Sequence, residues 1–130
     1  MKKIIVITVL VLFTLLLSGY TAIYFWIDSD VKKNIAIAKE KYPGTAEDAL
    51  IAYLLDSTNS PNNRTHIAIW TLGQIQSEKA IPVLKSLYKN DPEGKTCKGN
   101  HSYVLCQYEI CKALNAQKVN WWPLHQRLNK

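Results

Sequence analysis

The chain has 130 residues, carries 16 Lys+Arg against 10 Asp+Glu, and is 48% apolar. That length holds one modest domain plus an appendage, and the composition after residue 27 is that of an ordinary globular domain. Both facts argue against a multi-domain enzyme, a disordered tail and a collagen-like repeat.

Lys2 and Lys3 precede an uncharged run from Ile4 to Ile27, in which 19 of 24 residues are apolar, and Asp28 closes it. At a rise of about 1.5 Å per residue such a helix is about 36 Å long, enough to cross about 30 Å of hydrocarbon. Thr8, Thr14, Ser18 and Thr21 can bond to carbonyls one turn back. Tyr20, Tyr24, Phe25 and Trp26 gather at the far end, where amphipathic rings suit the headgroup layer. A cleaved signal peptide would start in the same way, but its apolar region is shorter and ends on a small-x-small site. Gly19-Tyr20-Thr21 is a poor one, and Tyr20 stands where a lipobox would need its cysteine. The expectation is therefore an uncleaved anchor over residues 1–27. The Lys2-Lys3 flank places the N-terminus in the cytoplasm and the remainder outside it, periplasmic or extracellular.

The rest of the chain reads as helix. A linking helix is expected over 28–44, with Val31, Ile35 and Ala38 facing inward. Ala46, Ala49, Leu50, Tyr53 and Leu54 then form one apolar stripe at i, i+3, i+4, i+7, i+8. Thr45 is placed to cap that helix, with Asp48 as a capping-box partner. Ser60-Pro61 gives an N-cap and an N1 proline for a second helix running to about Gln76. Its apolar residues cover more than one face, as in an inner layer flanked on two sides. Gly73 inside it is costly unless a neighbouring helix approaches there. Ala80, Val83, Leu84, Leu87 and Tyr88 repeat the first stripe 34 residues on, with Pro82 in the first turn. Tyr103–Asn115 reads as a second inner-type helix. Trp121-Trp122-Pro123-Leu124 opens a third start that echoes Ala80-Ile81-Pro82-Val83. Alternating helices with a period of 34 to 42 residues point to an α-solenoid.

Arg64-Thr65-His66-Ile67-Ala68-Ile69-Trp70-Thr71-Leu72-Gly73-Gln74-Ile75, followed by Glu78-Lys79-Ala80-Ile81-Pro82-Val83-Leu84, resembles the consensus of HEAT-like repeats. The short type found in phycobilisome lyases and many bacterial proteins is the nearest form. Thr71 stands where that consensus has a small alanine. The likeness covers about half of the chain after the anchor. It implies an all-α domain over 45–130, of about two antiparallel helix pairs plus a capping helix, and a scaffold that binds through its surface. It implies no lyase activity.

Eight extra residues separate the second pair of helices relative to the first, around Asp91–His101, and insertions in stacked repeats often serve binding. The insertion holds Cys97, with Cys106 and Cys111 beyond it. Outside the cytoplasm, Cys97–Cys106 is the favoured disulfide and Cys97–Cys111 the alternative. Along a helix Cys106 and Cys111 point about 140° apart. That divergence, and a spacing that fits no usual zinc pattern, argue against a metal site formed by Cys97, His101, Cys106 and Cys111. His66 reads as a solvent-facing or partly packed residue. No nucleophile–base constellation or phosphate loop is recognisable, so no enzyme and no cofactor are expected.

Residues 28–94 hold 8 basic and 9 acidic side chains, whereas residues 95–130 hold 6 and 1. The binding candidates are therefore Lys95, Lys98, His101, Tyr103, Trp121 and Trp122. The expected role is a non-catalytic, membrane-anchored module binding a protein partner at the cell envelope, with no nucleic acid and no small-molecule substrate. The alternatives are a binder of acidic lipid or envelope polymer and, behind it, a thiol- or metal-dependent enzyme. Alkaline carbonate washing of membranes should leave the full-length chain in the pellet; its release at a mass lacking about two dozen N-terminal residues would show that the segment is a cleaved leader.

Overall fold

The computed structural model describes residues 2–116, and all the regular structure among them is helical. The elements are α1 (Lys2–Lys41), α2 (Ala46–Leu55), α3 (Pro61–Asn63), a π-helical segment (Arg64–Ile69), α4 (Trp70–Gln74), a 3-10 turn (Glu78–Ala80), α5 (Ile81–Leu87) and α6 (Gln107–Ala116). The chain divides into two compact units, Met1–Asp30 and Val31–Lys130.

The first unit is the N-terminal part of α1, long and apolar enough to cross a membrane. Four of its hydroxyls bond within the helix. Thr8 donates to the Ile4 carbonyl at 3.0 Å, Thr14 to Val11 at 2.8 Å, Ser18 to Leu15 at 2.9 Å and Thr21 to Ser18 at 2.9 Å. Each bond removes a polar group that lipid would leave without a partner.

The second unit begins at Val31. The linking helix expected over 28–44 is the end of α1, whose Val31 and Ala38 are fully buried in this unit. The α2 stripe buries Ala49, Leu50, Tyr53 and Leu54. Thr45 caps α2 by accepting from the Asp48 amide at 3.2 Å, and its hydroxyl donates to the Asp48 carboxylate at 2.7 Å. Asp48 also pairs with Lys79 ahead of α5. A polar clasp ties the end of α1 to the end of α2. Lys41 donates to Asn59 at 2.8 Å and to Asp56 at 3.2 Å, and Tyr42 donates to Asp56 as well. That shared carboxylate is held well below the usual carboxylate range, chiefly by the Tyr42 hydroxyl and then by Thr58. Arg64 Nε caps the Leu54 carbonyl at 2.6 Å.

Two helices depart from the sequence expectation. The inner helix starts as read, with Ser60 accepting from the Asn63 amide at 3.2 Å and Pro61 in its first turn. It then loosens into π geometry over Arg64–Ile69, where the Trp70 amide bonds back to Thr65. Such a bulge inserts one residue into the helical ladder. Asn34 of α1 sits against it, donating to the Thr71 hydroxyl at 3.0 Å and to the His66 carbonyl at 3.4 Å. The second departure is α6, which begins at Gln107 and leaves Tyr103–Cys106 outside the helix. The cause is the cross-link at Cys106, described below, which holds this stretch to the preceding loop.

The core lies where α2, the π segment, α4, α5 and α6 meet, and Leu50, Leu54, Ile69, Leu72, Ile75, Leu84 and Ile110 are all inaccessible to solvent. α6 packs against both α4 and α5. A Cβ built on Gly73 would stand 3.0 Å from Ala113 Cα and 3.2 Å from Ala113 Cβ, so the close approach that makes Gly73 tolerable is with α6. Ordinarily Gly→Ala within a helix adds about 0.5–1 kcal/mol of stability. At Gly73 the sign should reverse, with Gly73→Ala costing about 1–3 kcal/mol through overpacking, while Gly19→Ala, which meets nothing within 4 Å, carries no such penalty. Thermal unfolding of the detergent-solubilised chain, followed by circular dichroism, separates the two.

Candidate functional site

The loop between α5 and α6 is built as a cage around two sulfurs. Cys97 and Cys106 are paired at disulfide distance, with Cα atoms 5.2 Å apart, and both are buried. Closing so short a loop contributes about 2–3 kcal/mol by restricting the unfolded chain. Gly94 makes the approach possible. Its φ is +66°, and a Cβ there would sit 2.9 Å from Tyr108 Cβ and 3.2 Å from Cys97 Sγ. The turns are tight: the Cys97 and Lys98 amides both donate to the Gly94 carbonyl, at 3.1 and 2.9 Å.

Two side chains hold the cage in place. The Asp91 carboxylate accepts from the Lys95 amide at 3.0 Å and from both the amide and the hydroxyl of Thr96 at 2.8 Å. These donors favour the charged form, so Asp91 titrates below its ordinary value, with the Thr96 amide the leading cause. Gln107, buried at the start of α6, accepts from the Lys89 amide at 2.6 Å and donates to the Leu87 carbonyl at 3.2 Å. One amide side chain thus joins the two ends of the insertion.

His101 leaves the loop toward the inner helix. Its Nδ1 lies 2.9 Å from Nε2 of His66 on the π segment, and the two rings meet at 4.8 Å between centroids. Cys97 Sγ, Cys106 Sγ and a ring nitrogen of His101 all lie within 4.8 Å of one another. His66 titrates below its ordinary value, mainly because the ring loses water and secondly because His101 faces it; Glu109 opposes the shift.

Of the candidate residues, Cys97, His101 and Cys106 therefore come together. Lys95 and Lys98 are exposed on the same loop, Lys95 pairing with Glu93 at 2.9 Å. Tyr103 is 83% exposed. Trp121 and Trp122 lie outside the described residues. Cys111, the fourth member of the metal set considered from spacing, is on α6 with Asn115 at 3.5 Å. It also meets Tyr88, whose hydroxyl it pushes up through a hydrogen bond. His66, Gly94 and Gln107 have roles that their sequence context does not announce. His66 is 35 residues from its partner, and only the fold joins them.

Comparison with protein-family models, with curated proteins and with solved structures found no match to this chain.

The Asp91 cage gives a pH dependence with a definite sign. A carboxylate depressed in the folded state adds stability above its unfolded pKa of about 3.9, and that contribution is lost as the pH falls through the folded value. The Thr96 amide resonance should titrate with a midpoint below 3.8 and stop titrating in Asp91→Asn. A midpoint at the ordinary carboxylate value would show that the cage does not hold the charge.

Proposed function

We propose that this chain is a non-catalytic, membrane-tethered module of HEAT-like helical repeats that uses the cross-linked loop to hold a protein partner outside the cytoplasm. The observation that carries the reading is Tyr103. It stands 83% exposed, with Val104 at 42% and Tyr108 at 46%, on a segment anchored at Cys106 to Cys97. A large ring held in water on a pre-ordered segment loses little conformational entropy when a partner covers it, and tyrosine is among the residues that dominate interface energetics.

Several features support the rest of the reading. The packing of α6 on both α4 and α5 is what stacking of helix pairs requires. The apolar N-terminal helix suits a membrane tether, and a disulfide suits an oxidising compartment. The Lys2-Lys3 flank favours a cytoplasmic N-terminus. On the same loop, a recess of about 370 Å³ is lined by Leu87, Thr96, Val104 and Leu105 among others, room for an apolar side chain of the partner. Exposed Lys98 favours an acidic rim around that side chain.

A reading as a binder of acidic lipid or polymer is less well supported by the basic residues in view. Lys95 is paired with Glu93, and Lys112 with Glu109 at 3.2 Å, so part of the positive charge is answered within the chain.

A photo-crosslinking amino acid in place of Tyr103, in the full-length chain in its native membranes, tests the proposal. A discrete protein-sized adduct is expected from position 103 and none from Asn62, an exposed residue of α3. Adducts of lipid mass from position 103, or no adduct from 95, 98 and 103 alike, would falsify the protein-binding reading.

A further inference from the structure

We propose that Cys97, Cys106, His101 and His66 form a tetrahedral Zn2+ site when the two cysteines are reduced, so that the loop is closed either by a disulfide or by the metal. The inference is independent of the partner proposed above, since it concerns what closes the loop and not what binds its outer surface.

Three of the four donor atoms are already gathered. In a zinc tetrahedron with Zn–S near 2.3 Å and Zn–N near 2.0–2.1 Å, neighbouring donors stand roughly 3.3 to 3.8 Å apart. Here both sulfurs and a ring nitrogen of His101 are within 4.8 Å of one another. The fourth donor comes from a different part of the fold. His66 Nε2 is 2.9 Å from His101 Nδ1, about one tetrahedral edge, but only Cys97, His101 and Cys106 lie mutually within 4.8 Å, so His66 joins the ion only once its ring turns toward the sulfurs. Two sulfurs and two imidazoles form one of the usual structural zinc donor sets, and the absence of a carboxylate among them disfavours Ca2+ and Mg2+.

The surroundings suit such a site. Cys97 and Cys106 are 5% and 1% exposed, so their thiolates are shielded from water and from chance oxidants. Gly94 allows backbone to approach the sulfurs where no other residue fits. The His66 carbonyl accepts from Asn34, which steadies the segment carrying the fourth ligand.

Loading involves no electron transfer: the two thiols release two protons and bind one Zn2+ as thiolates. Conversion to the cross-linked state needs a two-electron oxidant, for which a low-molecular-weight disulfide suffices. It takes two electrons from the thiolates and two protons from solvent, leaves as two thiols, and Zn2+ is released as the Cys97–Cys106 bond forms.

The test uses the full-length chain in detergent, reduced by a phosphine that is then removed under anaerobic conditions. Titration with Zn2+ against a chromophoric chelator should give one equivalent bound at submicromolar Kd, and the oxidised chain should bind none at that level. Co2+ in place of Zn2+ should give intense tetrahedral d–d bands and a thiolate charge-transfer band. His66→Asn and His101→Asn should each weaken Zn2+ binding at least 10-fold and alter the Co2+ spectrum, whereas Cys111→Ser should change neither. The proposal is overturned if the reduced wild-type chain shows no stoichiometric binding and no tetrahedral Co2+ spectrum. It is equally overturned if Cys111→Ser abolishes binding while His66→Asn, still helical by circular dichroism, leaves affinity and spectrum unchanged.

Discussion

The close approach of α6 to α4 at Gly73 governs the second unit. With no side chain at Gly73, Ala113 can lie against the α4 backbone, and Ile110, one turn earlier, drops into the core. That seating fixes where α6 lies. Gln107, at the head of α6, then bonds back to Leu87 and Lys89 at the start of the insertion, and Cys106 is delivered to Cys97. The inner helix that carries Gly73 also carries His66 seven residues before it, so one helix–helix contact positions both the loop and the histidine that the loop reaches.

The division of labour between polar and apolar groups follows from this frame. Burial of aliphatic side chains holds the helices together. The side-chain hydrogen bonds are spent at helix ends and loop bases: Thr45 and Ser60 at N-termini, Arg64 on the last turn of α2, Lys41 and Tyr42 on Asp56, Asp91 and Gln107 under the insertion. Backbone groups at such places have no partner within a helix, and an unmet one costs more than a met one contributes. The loop is therefore ordered by polar contacts and a cross-link rather than by a core of its own, which leaves its apolar residues, Tyr103 above all, on the outside.

Much of the helical framework was legible in the sequence because it rests on local rules. The stripe Ala49-Leu50-Tyr53-Leu54, the Ser60-Pro61 start and the demand that Gly73 makes for a neighbour are all written within a few turns. The Cys97–Cys106 pair was legible too, since a short cysteine-bounded loop restricts the choices. What was not legible depends on separation in the chain. The π segment at Arg64–Ile69 has no sequence marker, and the ladder relaxes there among neighbours such as Asn34, thirty-two residues before His66. The stretch Tyr103–Cys106 has helical periodicity, yet the bond to Cys97 overrides it. The metal set weighed and set aside from spacing contained Cys111 and not His66, because spacing cannot show that the fold brings His66 to His101.

The π segment has a consequence for how tightly this arrangement is specified. An extra residue in one turn is a phase shift: it decouples the facing of everything before it from the facing of everything after it. Ile69 and Leu72 can therefore keep their places in the core while His66 is turned toward His101. Lose a single position there and the helix regains its regular pitch, but the residues ahead of the deletion swing by about 100° about the axis. The imidazole would then leave its counterpart with no change in the chemistry of either side chain, so the meeting of these two rings is set by the length of the segment as much as by its composition.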